Sequence, residues 1–285
     1  MLKTNRLGIG PAATLKKHGV HVFSDLRGVG QNLWDQILFP VETAFNTPSG
    51  AQLEANPETN AIALKEYYQD SSGPYSSPGA YIAFEKIPAK LRSNFSSTAK
   101  SALDWFPSDW PEVEYVAGSS AGTNGTSMGL CTALLVAPVS RGNVTLASSD
   151  FRVQPTINMG WLSHTADREV AVAAIKRCRE AFTSPDVASV VTGPEAAPGP
   201  LVQTDEEILA YVESAATPIF HAAGTCAMGK RGDANAVVDV DGRVLGVQNL
   251  RVVDSSIFPV APPGHPQSSV YMLAEKIADD IKNGH

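Results

Sequence analysis

Between Asp167 and Ser184 the apolar side chains return at helical spacing: Val170, Ala174 and Cys178 share one face, while Arg168, Lys176 and Arg177 fall largely elsewhere. This predicts the clearest helix of the chain. In "TDEEILAYVESAA", Thr204 as N-cap and Glu207 three residues on write a capping box at the head of a second helix. A last helix is expected from near Gln267, with Val270, Leu273 or Ala274, Ile277 and Ile281 on one stripe. "AYIAFEKI", "VEYVA", "GLCTALLVAP" and "GNVTLAS" read as strands bounded by turn residues. "AVVDVDGRVLGV" turns back on itself at Asp241-Gly242, and "LRVVD" reads as a buried strand. "NAIALKEYYQD" reads as a short helix ending in a Gly/Pro/Ser loop from Ser71 to Gly79, whereas Asn46 to Pro57 and "PEAAPGP" read as loops. The pattern as a whole predicts an α+β fold, a mostly antiparallel sheet with helices packed on it.

Composition narrows the partners. A chain of 285 residues with 18% charged and 43% hydrophobic residues can bury a large core. Its net charge of -7 is spread without a basic run, which argues against nucleic acid and an anionic membrane surface and favours a small-molecule substrate. The N-terminus shows no apolar leader, and no apolar run approaches the roughly eighteen residues of a spanning helix, so a cytoplasmic protein is expected. Cys131, Cys178 and Cys226 are odd in number and widely spaced, which writes neither a disulfide framework nor a metal site. Asn94, Asn124 and Asn143 head N-x-S/T triplets, which mean little without a secretory signal.

Four motifs invite chemistry. Gly8, Gly10 and Ala13 spell the dinucleotide fingerprint G-x-G-x-x-A, with Asp25 near the place of a ribose-binding carboxylate. The glycines serve a pyrophosphate only where a buried strand delivers the chain to a helix, and "MLKTNRL" is too polar for that strand. A turn with Pro11 in the first turn of a helix is the plainer expectation. "GSSAG" from Gly118 to Gly122 matches a nucleophile elbow, but "TNGTSMG" follows in place of the helix that would expose Ser120. "DVDGRV" lacks the oxygen ligands of a calcium loop and reads as a hairpin turn. His221 in "TPIFHAAGTCAMG" and His265 in "FPVAPPGHPQSSVYML" each stand beside Gly or Pro residues that hold a loop in a fixed path. A histidine so placed suits proton transfer near neutral pH, although by itself either is more often structural.

"GIGPAATLKKHGVHVFSDLRGVGQNLWDQ", "HAAGTCAMG", "AVVDVDGRVLGVQNLRVVDSSIFP" and "GHPQSSVYMLAEKIADDI" together resemble the glucose-methanol-choline (GMC) oxidoreductase family, in order and at family-like spacing. The resemblance covers essentially the whole chain, yet only the C-terminal half of a family member, the N-terminal FAD-binding Rossmann unit being absent. It implies residues 1–41 as a border segment of the flavin domain, 42–220 as the substrate-binding domain, and 221–285 as the histidine loops, hairpin and last helix. By motif, His221 becomes the base that takes an alcohol's hydroxyl proton and His265 its partner. Asn32, Asp254 and Gln267 fall where the family lines the flavin, against the plainer roles of turn, cap and first helical turn. Gln36 stands where many members carry His.

FAD is thus implied, to be held by a rebuilt site or with a flavin-domain partner chain, since the cofactor supplies the hydride acceptor. The apolar stripe of the last helix needs cover, from a rearranged core, a homodimer or that partner. The resemblance leads to an alcohol oxidoreductase, active on a primary or secondary alcohol or a polyketide-like molecule. The alternative is a flavin-independent cyclase, dehydratase or isomerase, because the family includes redox-neutral members and such reactions need only an acid and a base. An inactive remnant or binding module is the third reading, disfavoured by the intact histidine loops.

Overall fold

The computed structural model describes residues 4–5, 7–77, 79–122 and 126–284. They divide into two compact units. One, the sheet unit, joins Ile37–Val136 to Thr165–Thr217; the other, the histidine unit, joins the described residues up to Gln36 to Ala137–His164 and to those from Pro218 onward. The division therefore differs from three consecutive blocks, because the chain passes back and forth between the units.

In the sheet unit the strands β1 (Ile37–Phe45), β2 (Ala80–Glu85), β3 (Val113–Ala121), β4 (Ser127–Leu135) and β5 (Val191–Ala197) form an antiparallel sheet in the order β5-β1-β4-β3-β2. Alternation makes it so: Ile37, Phe39, Val41 and Thr43 of β1 are buried, and the residues between them are not. Helix α1 (Thr165–Phe182) lies over this face, burying Val170, Ala174 and Cys178 as the spacing predicts. Phe182 meets Phe45 edge-on at 5.9 Å, and the Cys178 thiol donates to the Cys131 carbonyl at 3.4 Å. Two forked ion pairs fasten the helix, Arg177 to Glu85 and Arg179 to Glu195. Helix α2 (Asp205–Ala215) begins at the expected capping box of Thr204 and Glu207. The α+β fold is thereby established.

Two local expectations are corrected here, and one is upheld. Residues 46–57 are not loop throughout: Ser49 and Gln52 form a second capping box that opens a helix over Gly50–Ala55, and Asn56 caps another over Pro57–Asp70. "PEAA" belongs to β5, where Pro194 is tolerated because the strand pairs with β1 through two register shifts. Ser120 sits within β3 opposite Met128, in extended backbone rather than at a strand-to-helix elbow, which removes the hydrolase motif. Thr123–Gly125, with the Asn124 triplet, lie outside the described residues.

The histidine unit opens with a small crossover: Ile9–Gly10 pairs in parallel with Ser24–Asp25 around a helix over Ala12–Lys17. Pro11 stands just before that helix as its cap residue. Asp25 accepts from the Ala12 N–H at 2.9 Å, so the carboxylate that mimics a ribose ligand caps the helix itself. A core follows of Ile9, Val29, Cys226, Val237, Val238, Val244, Ile257 and Ile277, with Leu250, Val252 and Leu273 packed on it. Ile277 and Leu273 belong to α3 (Gln267–Lys282), so much of its stripe is covered within this unit, while Ile281 remains half exposed. Asp239 accepts from the N–H groups of Asp241 and Arg243, confirming a turn at the calcium-like motif. "LRVVD" is no strand; a single bridge ties Arg251 to Arg243, and the Val252 N–H is taken by the Gly242 carbonyl. Among the described residues no helix is long and apolar enough to cross a membrane, and no cluster of potential metal ligands occurs.

Candidate active site

His221 is placed by a short antiparallel pairing. Trp34 and Ala223 exchange both backbone hydrogen bonds, at 2.9 and 2.8 Å. Two residues along each segment in that register, Gln36 faces His221, and its side-chain Oε1 lies 2.8 Å from the imidazole Nδ1. The Ile219 N–H donates to the Gln36 carbonyl at 3.3 Å, closing the loop on its other side. Downstream, the Ser255 hydroxyl donates to the Ala222 carbonyl at 2.9 Å, and the N–H groups of Gly224, Cys226 and Met228 donate to the carbonyls of Ser255, Ser256 and Ile257. The histidine therefore sits on a loop bound along both flanks. Phe220 before it adopts φ +63 and is 88% exposed.

His265 approaches from the other loop, its ring 5.0 Å from that of His221 and nearly perpendicular to it. The two residues singled out in the sequence are thus brought together. Burial, and secondarily the neighbouring His265, hold the His221 pKa below the ordinary histidine value. Its imidazole is accordingly neutral at neutral pH. Under the loop, Asp35 is buried; burial raises its pKa, opposed by N–H groups of Gln36, His221 and Trp161.

The three flavin-side candidates fare differently. Asn32, in the left-handed conformation at φ +57, accepts from Arg141 Nε at 3.2 Å and donates to the Gly224 carbonyl at 3.4 Å. Arg141 in turn lies over the Trp34 ring, 3.3 Å from its centroid. Asp254 caps the turn over Ser255–Ile257, accepting from the Ser256 N–H at 2.8 Å. Gln267 is exposed in the first turn of α3, a helix whose start carries no side-chain cap. The sequence offered little sign of Asp35, Trp34, Trp161 and Arg141 around the site. Only Gln36 stood out, as a departure from the family pattern.

Known proteins agree with this architecture. Residues 138–274 match the family model described as GMC oxidoreductase. The dehydrogenase pkfF of Emericella nidulans is 45% identical over 290 residues, covering 98% of this chain and 46% of the relative. The versicolorin B synthase of Aspergillus parasiticus is 44% identical over 285 residues, covering 97% and 43%, and the patulin synthase of Penicillium expansum 44% over 292 residues, covering 96% and 46%. Among solved structures, an FAD-dependent oxidoreductase from Chaetomium thermophilum superposes with TM-score 0.79 at 28% identity, covering 99% of this chain and 53% of that one. A formate oxidase superposes with TM-score 0.83 at 26% identity, covering 99% and 52%. The α+β fold is that of the GMC flavoenzymes' substrate-binding domain. The chain belongs to the GMC oxidoreductase family and carries its C-terminal domain. It spans about half the length of the curated relatives it matches.

Proposed function

We propose that His221 and His265 are the acid/base pair of a GMC oxidoreductase acting on a primary or secondary alcohol or a polyketide-like small molecule. The observation that carries this reading is the pairing itself: a half-buried His221 with a lowered pKa, 5.0 Å from a second imidazole. A neutral imidazole can accept the hydroxyl proton, and the exposed His265 can hold the same oxygen by a hydrogen bond or serve as the second acid. FAD, when bound, supplies the hydride acceptor. The uncapped first turn of α3, two residues beyond His265, offers N–H groups suited to the acceptor-rich edge of such a ring, and Gln267 is the exposed side chain beside them. Asn32 and Asp254 instead have their side chains engaged within the fold.

Relatives named as synthases match this chain as well as one named a dehydrogenase, which favours keeping a redox-neutral reading second. In it the same histidines move protons for a cyclisation, dehydration or isomerisation. The visible spectrum of the purified protein, alone and after incubation with FAD, separates the two. Bound flavin with alcohol oxidation lost in His221→Ala supports the first. Turnover by a colourless protein that still requires His221 supports the second. Full activity of His221→Ala in either assay ends both.

A further inference from the structure

We propose that Gln36 is a positioning residue that fixes His221 as its Nδ1–H tautomer and leaves the Nε2 lone pair for the substrate hydroxyl; this rests on the reading of His221 as a base. The geometry is short and enclosed. Gln36 is 1% exposed, its amide oxygen lies 2.8 Å from Nδ1, and the Trp34–Ala223 pairing beside it fixes the register. An amide oxygen can only accept, so the ring nitrogen facing it must carry the proton. Free histidine in water favours the opposite, Nε2–H, tautomer. The protein would therefore hold His221 against its intrinsic preference, which makes the assignment visible.

The identity of the acceptor matters as much as its place. A carboxylate there would favour the imidazolium and raise the pKa of His221; the neutral amide orients the ring without charging it. The other titratable groups that face His221 are His265 on the ring side and Asp35 at its backbone N–H. Of these groups only Gln36 makes a hydrogen-bond-length contact with the ring among the described residues, its amide oxygen 2.8 Å from Nδ1; the His265 ring meets it edge-on and Asp35 accepts from the backbone N–H. Gln36 thus selects a base that is both aimed and unprotonated.

Imidazole nitrogen NMR on the 15N-labelled full chain, followed across pH, tests this without turnover. In wild type the Nδ1–H to Nε2–H ratio of His221 is expected to exceed that of free histidine by about fivefold or more, the shift that one hydrogen bond supplies. Gln36→Leu should shift the balance toward Nε2–H by a similar factor and lower kcat more than it raises KM. Gln36→Glu should keep the Nδ1–H form while moving protonation of His221 to higher pH, together with the acid limb of the rate profile. A wild-type Nε2–H tautomer, or a tautomer unchanged in Gln36→Leu, would overturn the proposal. Should the leucine variant not fold, the wild-type and glutamate spectra decide it alone. Failure of the catalytic reading is separate: it would appear as undiminished turnover of His221→Ala, whatever the tautomer.

Discussion

A carboxylate at a suggestive position is weak evidence until its hydrogen bonds are traced. Asp25 and Asp254 both fall where a cofactor contact would be sought, yet Asp25 accepts from the Ala12 N–H at the head of the first helix and Asp254 from the Ser256 N–H of its own turn. His221 is the contrary case, because no local backbone bond occupies its ring and its partner Gln36 lies 185 residues away. Its lowered pKa carries a consequence for stability. The unfolded chain takes up a proton near the ordinary histidine value, whereas the folded chain resists until lower pH. Stability is therefore complete above about pH 6.5 and declines as acid carries the pH down through the folded pKa. Urea midpoints of wild type and His221→Gln at pH 7.5 and 5.5 check this: the wild type should lose more on acidification, and equal losses would refute it. The histidines were singled out by their Gly- and Pro-lined loops together with the family motifs that hold them. Their supports Asp35, Trp34 and Trp161 were not, since only the folded pairing brings such distant residues together.

Elements were legible where local chemistry and tertiary packing agree. Thr204 and Glu207 close a capping box, the Glu207 carboxylate accepting from the N–H groups of Thr204 at 2.9 Å and Gln203 at 2.8 Å, and those bonds lower its pKa. The helix it opens buries Ile208 and Val212. Ser49 and Gln52 form the same box over a helix that buries nothing, so no apolar period advertised it. The two boxes should respond differently to alanine. Thr204→Ala is expected to cost about 1 kcal/mol of the unfolding free energy, because α2 is part of a packed core. Ser49→Ala should chiefly raise hydrogen exchange within residues 50–55, leaving the global midpoint nearly unchanged. A Thr204→Ala midpoint equal to wild type would contradict the argument. "LRVVD" misled for the complementary reason: Leu250 and Val252 do pack, but the Val252 N–H goes to the Gly242 carbonyl at the hairpin rather than to a neighbouring strand.

At the scale of the whole molecule, neither compact unit is one continuous stretch of chain. Strands β2, β3 and β4, bounded by turn residues, made an antiparallel sheet readable, whereas β1 was not read as a strand, and nothing local says that Ala137–His164 returns to the residues around Trp34. Leu33 and Gly142 exchange backbone hydrogen bonds across that return, at 2.9 and 2.8 Å. A segment chosen by family resemblance therefore need not be a folding unit. Residues 138–274 match the family model but omit β1 to β4, leaving the buried face of α1 without its sheet. They also omit Ile9 and Val29 from the core around Ile277, which itself lies beyond the segment. Each apolar side chain so uncovered forfeits about 2 kcal/mol, and a few such losses equal the stability of an ordinary domain. Expressed alone, residues 138–274 should show no cooperative thermal transition by circular dichroism, whereas the 285-residue chain should show one. A sharp transition in the fragment, with near-ultraviolet signal retained, would mean that its own contacts suffice and that the interleaved segments are dispensable for folding.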